Sequence, residues 1–275
     1  MNMTLLDEHY PVNKDDFNYY QKNGHLCLRN VCPLPELEIY RSAINATTAD
    51  MKRQIQKTPL EERTTYGQAF LQMCNLWVMD ETVKRFVMAK RFAQIAAKLL
   101  NVERVRLYHD QALYKEAGGG FTPWHQDQHY WPLDCDRTIT MWMPLVDVTK
   151  DMGTLNFASL SHRVGYLGDI PISDDSEEYL DQYCKDNGFE TINHGAMEAG
   201  DATFHNGWTL HGAMGNKSQQ LREVMTIIYY PDNTGLLPEP DPLNRWNDNR
   251  RDDLESWFPG CKPGDLAKSE LTPLL

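Results

Sequence analysis

The order of apolar and polar positions divides the chain into a helical first part and a strand-rich remainder. Over 80–100, apolar side chains return at intervals of three and four while basic residues fall elsewhere around the cylinder, which predicts an amphipathic helix. Capping residues on both sides predict a shorter helix over 14–22. The pattern also predicts a strand over 25–31 and a helix over 36–54.

From residue 104 the pattern changes to short runs rich in β-branched and aromatic residues, separated by turn residues at fairly even intervals. This spacing is typical of a sandwich or barrel. The predicted strands lie at 104–115, 125–130, 138–148, 153–159, 202–205, 210–214 and 222–230. We therefore expect a mainly β protein with flanking helices, in which a helical N-terminal third packs on an antiparallel β core.

Two segments lack a clear periodic pattern. An acidic, polar stretch over 165–200 reads as an insertion loop, which is either a lid or an exposed loop without function. The tail over 233–275 is rich in proline and charge and shows no core-forming pattern. We predict one domain over 1–275, with mainly helical support over 1–103 and a β core over 104–232.

Composition and charge restrict the class of protein. The 275 residues are 41% hydrophobic and 24% charged, which excludes collagen-like and wholly disordered chains. A formal net charge of −12 argues against a nucleic-acid-binding groove. Apolar runs such as 227–230 fall far below the roughly 20 residues of a membrane helix. We expect a small-molecule substrate, no nucleic acid and no membrane, and the oligomeric state stays open.

The cysteines and the N-terminus predict the compartment. The six cysteines form no CxxC pair and none of the paired spacings of a zinc finger, so we expect free thiols. Residues 1–7 have neither a basic nor an apolar signal region. We therefore expect a cytoplasmic protein.

The first candidate site lies in the Trp-His-Gln-Asp stretch at 124–127, on or at the end of a predicted strand. Side chains two apart on a strand project to the same side, so His125 and Asp127 could bind one metal ion. Nine histidines and 39 acidic residues produce about one such pair by chance. A third ligand is therefore needed, and the alternative is a solvated polar pair.

The second candidate site pairs His211 with Arg222 across a predicted turn at 216–217. The two side chains are neighbours in a simple hairpin, or face each other across the interior if the turn crosses between two sheets. A histidine beside a guanidinium indicates a metal ligand next to a carboxylate clamp. Two histidines and one carboxylate form the facial triad of non-heme Fe(II) oxygenases, which leaves positions open for a cosubstrate and O₂. The alternative for His211 is a hydrogen-bonded core histidine.

Together these motifs resemble the phytanoyl-CoA dioxygenase-like branch of the Fe(II)/2-oxoglutarate-dependent oxygenases, and the likeness covers most of the chain. The motifs that carry it are Asp16-Phe17 to Asn23-Gly24, the stretch at 124–132, Met141 to Leu145, Gly153-Thr154-Leu155, Ser159 to His162, Gly200-Asp201, and His211 with Arg222. The resemblance implies a double-stranded β-helix, a jelly-roll or cupin-like core. It also implies Fe(II) held by His125, Asp127 and His211.

The same resemblance implies roles around the cosubstrate. Arg222 would hold the distal carboxylate of 2-oxoglutarate, and Gln111 would help to orient the cosubstrate. Lys115 lies four residues after Gln111 and so faces the same side of that strand. Thr140 and Trp142 share a face and match pocket-lining positions of the family. His129, His109, His194 and His205 have no clear ligand role, and we expect His129 to be a pocket or structural residue.

The implied reaction is hydroxylation of a small, largely apolar metabolite, with release of succinate and CO₂. One alternative is a catalytically silent jelly-roll module that binds a metal or another ligand. Another is a Zn²⁺-dependent isomerase or hydrolase, which has no need of Arg222. A third is an acyl-CoA hydroxylase, for which Lys84-Arg85 with Lys90-Arg91 is the candidate phosphate-binding patch.

Overall fold

The computed structural model describes residues 5–275, and its strands form two main antiparallel sheets. Residues 1–4, at the start of the predicted 1–103 segment, lie outside the described residues. The helices are α1 (Lys14–Asn23), α2 (Leu34–Ile55), α3 (Thr65–Ala69), α4 (Glu81–Val87), α5 (Lys90–Leu100), α6 (Asp174–Asp186) and α7 (Asp248–Trp257). The strands are β1 (His25–Leu28), β2 (Leu71–Cys74), β3 (Val105–Lys115), β4 (Thr122–His125), β5 (Leu133–Asp134), β6 (Ile139–Pro144), β7 (Leu155–Ala158), β8 (Thr191–Asn193), β9 (Ala202–Asn206), β10 (His211–Ala213), β11 (Arg222–Pro231) and β12 (Gly235–Leu236).

The larger sheet has the strand order β1-β9-β6-β11-β3-β2, and the smaller sheet has the order β4-β10-β7-β8. A two-stranded sheet pairs β12 with β5. Buried side chains of the two main sheets pack together, among them Trp142 and Val224 from the larger sheet and Leu155 and Phe157 from the smaller one. The prediction of a mainly β protein with flanking helices is confirmed.

The two faces of the larger sheet have different partners. Because alternate side chains of a strand point to opposite faces, Met141 and Met143 of β6 join the helices in one apolar core while Thr140 and Trp142 line a cavity on the other face. Helix α5 packs on the sheet, since it contacts β3, β6 and β11. Burying one large apolar side chain there contributes about 1.5–3 kcal/mol.

The predicted helix over 80–100 is wrong as a single element. The chain breaks between α4 and α5, where Ala89 is extended, with φ −58° and ψ 125°. The two halves bury their apolar faces against different partners. Phe86 of α4 packs against Tyr40 of α2, whereas α5 packs on the sheet. Continuous helical spacing could not reveal this change of direction.

The predicted strand over 125–130 is also wrong. Strand β4 ends at His125, and Asp127–His129 form a short 3₁₀ helix. Long-range bonds hold this turn: the Gln128 amide N–H donates to the Gly207 carbonyl at 2.9 Å, and the Gln126 side chain donates to the Trp208 carbonyl at 2.8 Å. Partners some 80 residues away therefore decide the local conformation.

The two segments without a periodic pattern are ordered. The insertion at 165–200 contains α6 and β8 rather than loop alone, and α6 buries Leu180 and Cys184 in a cluster with Trp124. The tail at 233–275 contains β12 and α7, and it contributes to the core although its sequence shows no core-forming pattern. Its buried residues, Leu236, Phe258 and Ala267, pack in a cluster with Tyr108, Trp131 and Tyr230.

The structure also bears on the cysteines and on membrane-spanning helices. All six cysteines are free thiols, as predicted from their spacing. Over residues 5–275, no helix combines the length and the apolar character needed to cross a membrane.

Candidate metal centre

A cavity of about 500 Å³ lies between the two main sheets. The larger sheet supplies one wall, with Gln111 from β3 and Trp142 from β6. The smaller sheet supplies His125 from β4 and His211 from β10. These two strands are antiparallel neighbours, and the two histidines lie directly opposite each other. Residues far apart in the sequence therefore line one cavity.

His125, Asp127 and His211 meet in this cavity. One potential ligand atom from each lies within 4.8 Å of the other two. Oδ1 of Asp127 is 3.5 Å from Nε2 of His125 and 3.6 Å from Nε2 of His211. Asp127 reaches this point from the 3₁₀ turn rather than from a continuing strand. The sequence thus identified residues that do converge, although it assigned the wrong local conformation.

Backbone carbonyls fix the orientation of both imidazoles. Nδ1 of His125 donates to the Pro123 carbonyl at 2.8 Å, and Nδ1 of His211 donates to the Thr209 carbonyl at 2.9 Å. Each ring therefore directs its Nε2 into the cavity, which is the arrangement found behind metal-binding histidines. Burial, with the neighbouring histidines, holds the pKa of His211 well below its usual range, so this ring is neutral at pH 7.

The second oxygen of Asp127 is bound by two groups. The Thr140 hydroxyl donates to Oδ2 at 2.7 Å, and Nε2 of His205 lies 3.1 Å from the same oxygen. Burial alone would raise the pKa of Asp127, but hydrogen bonding to the carboxylate, from His205 among others, outweighs burial and holds that pKa well below its usual range. Thr140 therefore contacts the candidate ligand, whereas the resemblance placed it among cosubstrate-binding residues.

Arg222 is a buried cation without an acidic partner among the described residues. It begins β11 in the larger sheet, while β10 with His211 belongs to the smaller one, so the turn between them crosses from sheet to sheet. The side chain is 2% exposed, one Nη donates to the Gly153 carbonyl, and Nε has no partner. Burial lowers its pKa to about 9, which still leaves it charged at pH 7.

The remaining predicted residues take different positions. Trp142 lines the cavity with its ring 5.4 Å from the Arg222 guanidinium, and Gln111 lines it with Oε1 accepting from the Thr226 hydroxyl at 3.2 Å. Lys115 does not line the cavity, and its amino group donates to the Gly120 carbonyl and to the Thr122 hydroxyl. Burial and the adjacent Arg222 lower the pKa of Lys115 to about 6.

Sequence reasoning missed several residues of the cavity. His205 contacts Asp127. The available signal was the alternation of side chains along β9, which places His205 on the same face of the strand as Thr203. His109 also lines the cavity, whereas His129 is buried outside its lining. Helix α7 contributes Asn249, Asp253 and Trp257, which recur every four residues.

A known protein family matches most of the chain. The family model described as phytanoyl-CoA dioxygenase (PhyH) matches residues 20–224. No curated protein sequence matches the chain.

Solved structures share the fold at low sequence identity. The non-heme alpha ketoglutarate dependent carbocyclase SnoK from nogalamycin biosynthesis has a TM-score of 0.75 and 20% identity, over 96% of this chain and 97% of its own. The epimerase SnoN in complex with Fe3+, alpha ketoglutarate and nogalamycin RO has a TM-score of 0.66 and 19% identity, over 95% and 97%. EctD from S. alaskensis, with 2-oxoglutarate and 5-hydroxyectoine, has a TM-score of 0.68 and 16% identity, over 98% and 91%.

Proposed function

The chain belongs to the phytanoyl-CoA dioxygenase family of iron- and 2-oxoglutarate-dependent oxygenases, and on that premise we propose that it hydroxylates a small, largely apolar metabolite with release of succinate and CO₂. Fe(II) would be held by His125, Asp127 and His211. Arg222 would bind the distal carboxylate of 2-oxoglutarate. A double-stranded β-helix with a helical N-terminal third, forming one domain over 1–275, belongs to the same proposal.

The observation that carries the proposal is Arg222, which is buried in the cavity that also contains the triad and has no acidic partner among residues 5–275. A guanidinium deprived of water needs a carboxylate partner, and a dicarboxylic cosubstrate supplies one. Two imidazoles and one carboxylate on one side of an ion suit Fe(II) and leave room for other ligands. The SnoN and EctD structures contain such a cosubstrate, and SnoN contains Fe3+.

The residues of this chain would position the reactants. When bound, iron with 2-oxoglutarate and O₂ supplies the oxidising power for cleavage of a substrate C–H bond. Arg222, supported by the Gly153 carbonyl and the Trp142 ring, fixes one end of the cosubstrate. Gln111 offers an amide beside it, and Lys115 stays a candidate contact only if its amino group leaves the Gly120 carbonyl. Buried side chains such as Leu155 exclude water.

The cavity favours a metabolite over an acyl-CoA. The candidate phosphate patch lies on α4 and α5, whose apolar side chains belong to the core on the face of the larger sheet opposite the cavity. Within that patch, Arg91 is 7% exposed and donates to the carbonyls of Glu8 and Val31. It is therefore not free to bind phosphate, and a cavity of about 500 Å³ suits a small substrate.

The fold does not fix the outcome of the reaction. SnoK is a carbocyclase and SnoN an epimerase, so one architecture hosts several oxidations. Hydroxylation is the outcome proposed here, and a product that gains one oxygen atom from ¹⁸O₂ would support it. A product of unchanged oxygen content would contradict it. The cytoplasmic location stays a prediction.

The test is succinate formation and oxygen uptake after addition of Fe(II), ascorbate and 2-oxoglutarate. We expect slow turnover even without substrate, and none when Zn²⁺ replaces Fe(II). Binding of Fe(II) without any consumption of 2-oxoglutarate, with substrate candidates present, would favour the silent module. Turnover that needs Zn²⁺ and ignores 2-oxoglutarate would favour an isomerase or hydrolase.

A further inference from the structure

The cavity extends along β3 to a second set of polar residues. Arg222 pairs in register with Lys115, and His109 lies six residues further along that strand, or about 20 Å at the rise of a β-strand. The His109 ring packs 5.2 Å from the Trp257 ring of α7. Since both line the cavity, Arg222 and α7 stand at opposite ends of it.

Helix α7 turns one face to this end. Asn249, Asp253 and Trp257 are spaced by four residues, so they share a side of the helix, and all three line the cavity. Asp252, the residue next to Asp253, is exposed on another side. Of the carboxylates on this helix, only that of Asp253 lines the cavity.

Asp253 lacks a cationic partner. Its Oδ2 accepts a hydrogen bond from the Tyr108 hydroxyl at 2.5 Å, and it forms no ion pair among residues 5–275. The cavity lining contains one arginine, at the opposite end, and no lysine. Burial raises the pKa of Asp253 to about 7, against the hydrogen bond from the Tyr108 hydroxyl. A positive group brought by a ligand would offset this loss of hydration.

The surrounding walls are aromatic. Besides Trp142, the aromatic rings that line the cavity are those of Tyr66, Phe70, Tyr130, Trp131 and Trp257. Aromatic faces attract cations, and the formal net charge of −12 attracts them over longer distances. An apolar body with one positive group thus fits both the walls and the carboxylate.

We propose that the substrate carries an apolar body and a protonated amine, and that Asp253 is the specificity-determining residue that binds the amine. The inference rests on the proposed function, because the metal end is what would make the bound molecule a substrate. The amine would lie at α7, and the carbon near the triad would be the one that reacts.

Two probes of equal size test the charge preference. The full chain, with EDTA present, is titrated calorimetrically with 2-phenylethylamine and with the neutral 2-phenylethanol. We expect the amine to bind about tenfold more tightly, because it would form a desolvated ion pair with Asp253 that the alcohol cannot form. Equal binding of the two, or tighter binding of the alcohol, overturns the inference and requires no variant.

Three variants assign the preference to one residue. Asp253→Asn can still accept from the Tyr108 hydroxyl and should bring the two affinities within about twofold of each other. Asp253→Glu should keep the amine preference, and so should the control Asp252→Asn, which removes the same charge from the exposed side of α7. An amine preference that persists in a folded Asp253→Asn overturns the assignment.

The same titration separates this inference from the proposed function. Arg222→Ala, loaded with Mn²⁺ under nitrogen, should bind 2-oxoglutarate at least about tenfold more weakly and keep the amine preference. Unchanged 2-oxoglutarate affinity would overturn the proposed function and leave the amine preference standing. The loss of the amine preference in Asp253→Asn is measured without metal, so it does not depend on the result for Arg222→Ala.

Discussion

The two ends of the cavity are built differently. At the metal end, His125 and His211 lie on paired strands and their second nitrogens are bound by backbone carbonyls. At the α7 end, the lining comes from β2, from 171–172 and from a helix near the C-terminus. Asp253 and Trp257 are only partly buried there. Rigid strands thus fix the candidate reaction centre, while peripheral segments form the wall that selects the substrate.

The difference extends to the supporting hydrogen bonds. Both oxygens of Asp127 face partners, because imidazoles flank Oδ1 while Thr140 and His205 contact Oδ2. Asp253 has one strong partner, the Tyr108 hydroxyl. Changes at the metal end should therefore abolish turnover, whereas changes at the α7 end should alter which molecules bind.

The largest effect is expected from the triad. His125→Ala, Asp127→Ala and His211→Ala should each abolish Fe(II)-dependent succinate formation, because two ligands cannot hold the ion in a facial arrangement. His9→Ala, which alters an exposed histidine, is the control and should retain activity. Full activity in any triad variant would refute the site.

Arg222 should give the next largest effect. Arg222→Ala should raise the apparent 2-oxoglutarate constant by roughly 30- to 4,000-fold, since truncating one side of a buried ion pair costs about 2–5 kcal/mol. Fe(II) binding should change little, and Arg222→Lys should recover only part, because an ammonium lacks the planar fork. An unchanged 2-oxoglutarate dependence would remove the cosubstrate assignment even with the triad intact.

The support of Asp127 should matter less than Asp127 itself. Thr140→Val and His205→Gln should each weaken metal affinity by about 10- to 100-fold, because the carboxylate loses a group that orients it. Thr203→Val is the matched control, as this buried hydroxyl on β9 has no bond to Asp127. Competition with a fluorescent chelator measures the affinities, and three equal values would contradict the positioning role.

The smallest effect is expected at the entrance. Pro171 and Ile172 line the cavity, and the Ile172 N–H donates to the Tyr130 hydroxyl at 2.8 Å. If this part of 165–200 is a lid, its amides should exchange several-fold more slowly once 2-oxoglutarate and a substrate are bound. Amides of β3 serve as the internal reference. Equal exchange in both states would leave 165–200 a static wall.

The sequence by itself determined the groups whose chemistry depends on short spacing. His125 with Asp127, and His211 with Arg222, were identifiable because a carboxylate two residues from a histidine and an arginine across a turn are local relations. Helices α1 and α2 were predicted within one or two residues, since caps and periodicity are local as well. Nothing at that level distinguished a hairpin from a crossing between sheets.

Only the tertiary structure decided how these residues meet. The turn that carries Asp127 depends on Gly207, the contact to its second oxygen comes from His205, and α7 reaches the cavity from a tail with no apolar period. Each of these depends on a partner distant in sequence, and local periodicity contains no information about such partners. The sequence also could not show that Arg222 is buried without an acidic partner in the described part of the chain, because its hydration is lost only when the two sheets close around it.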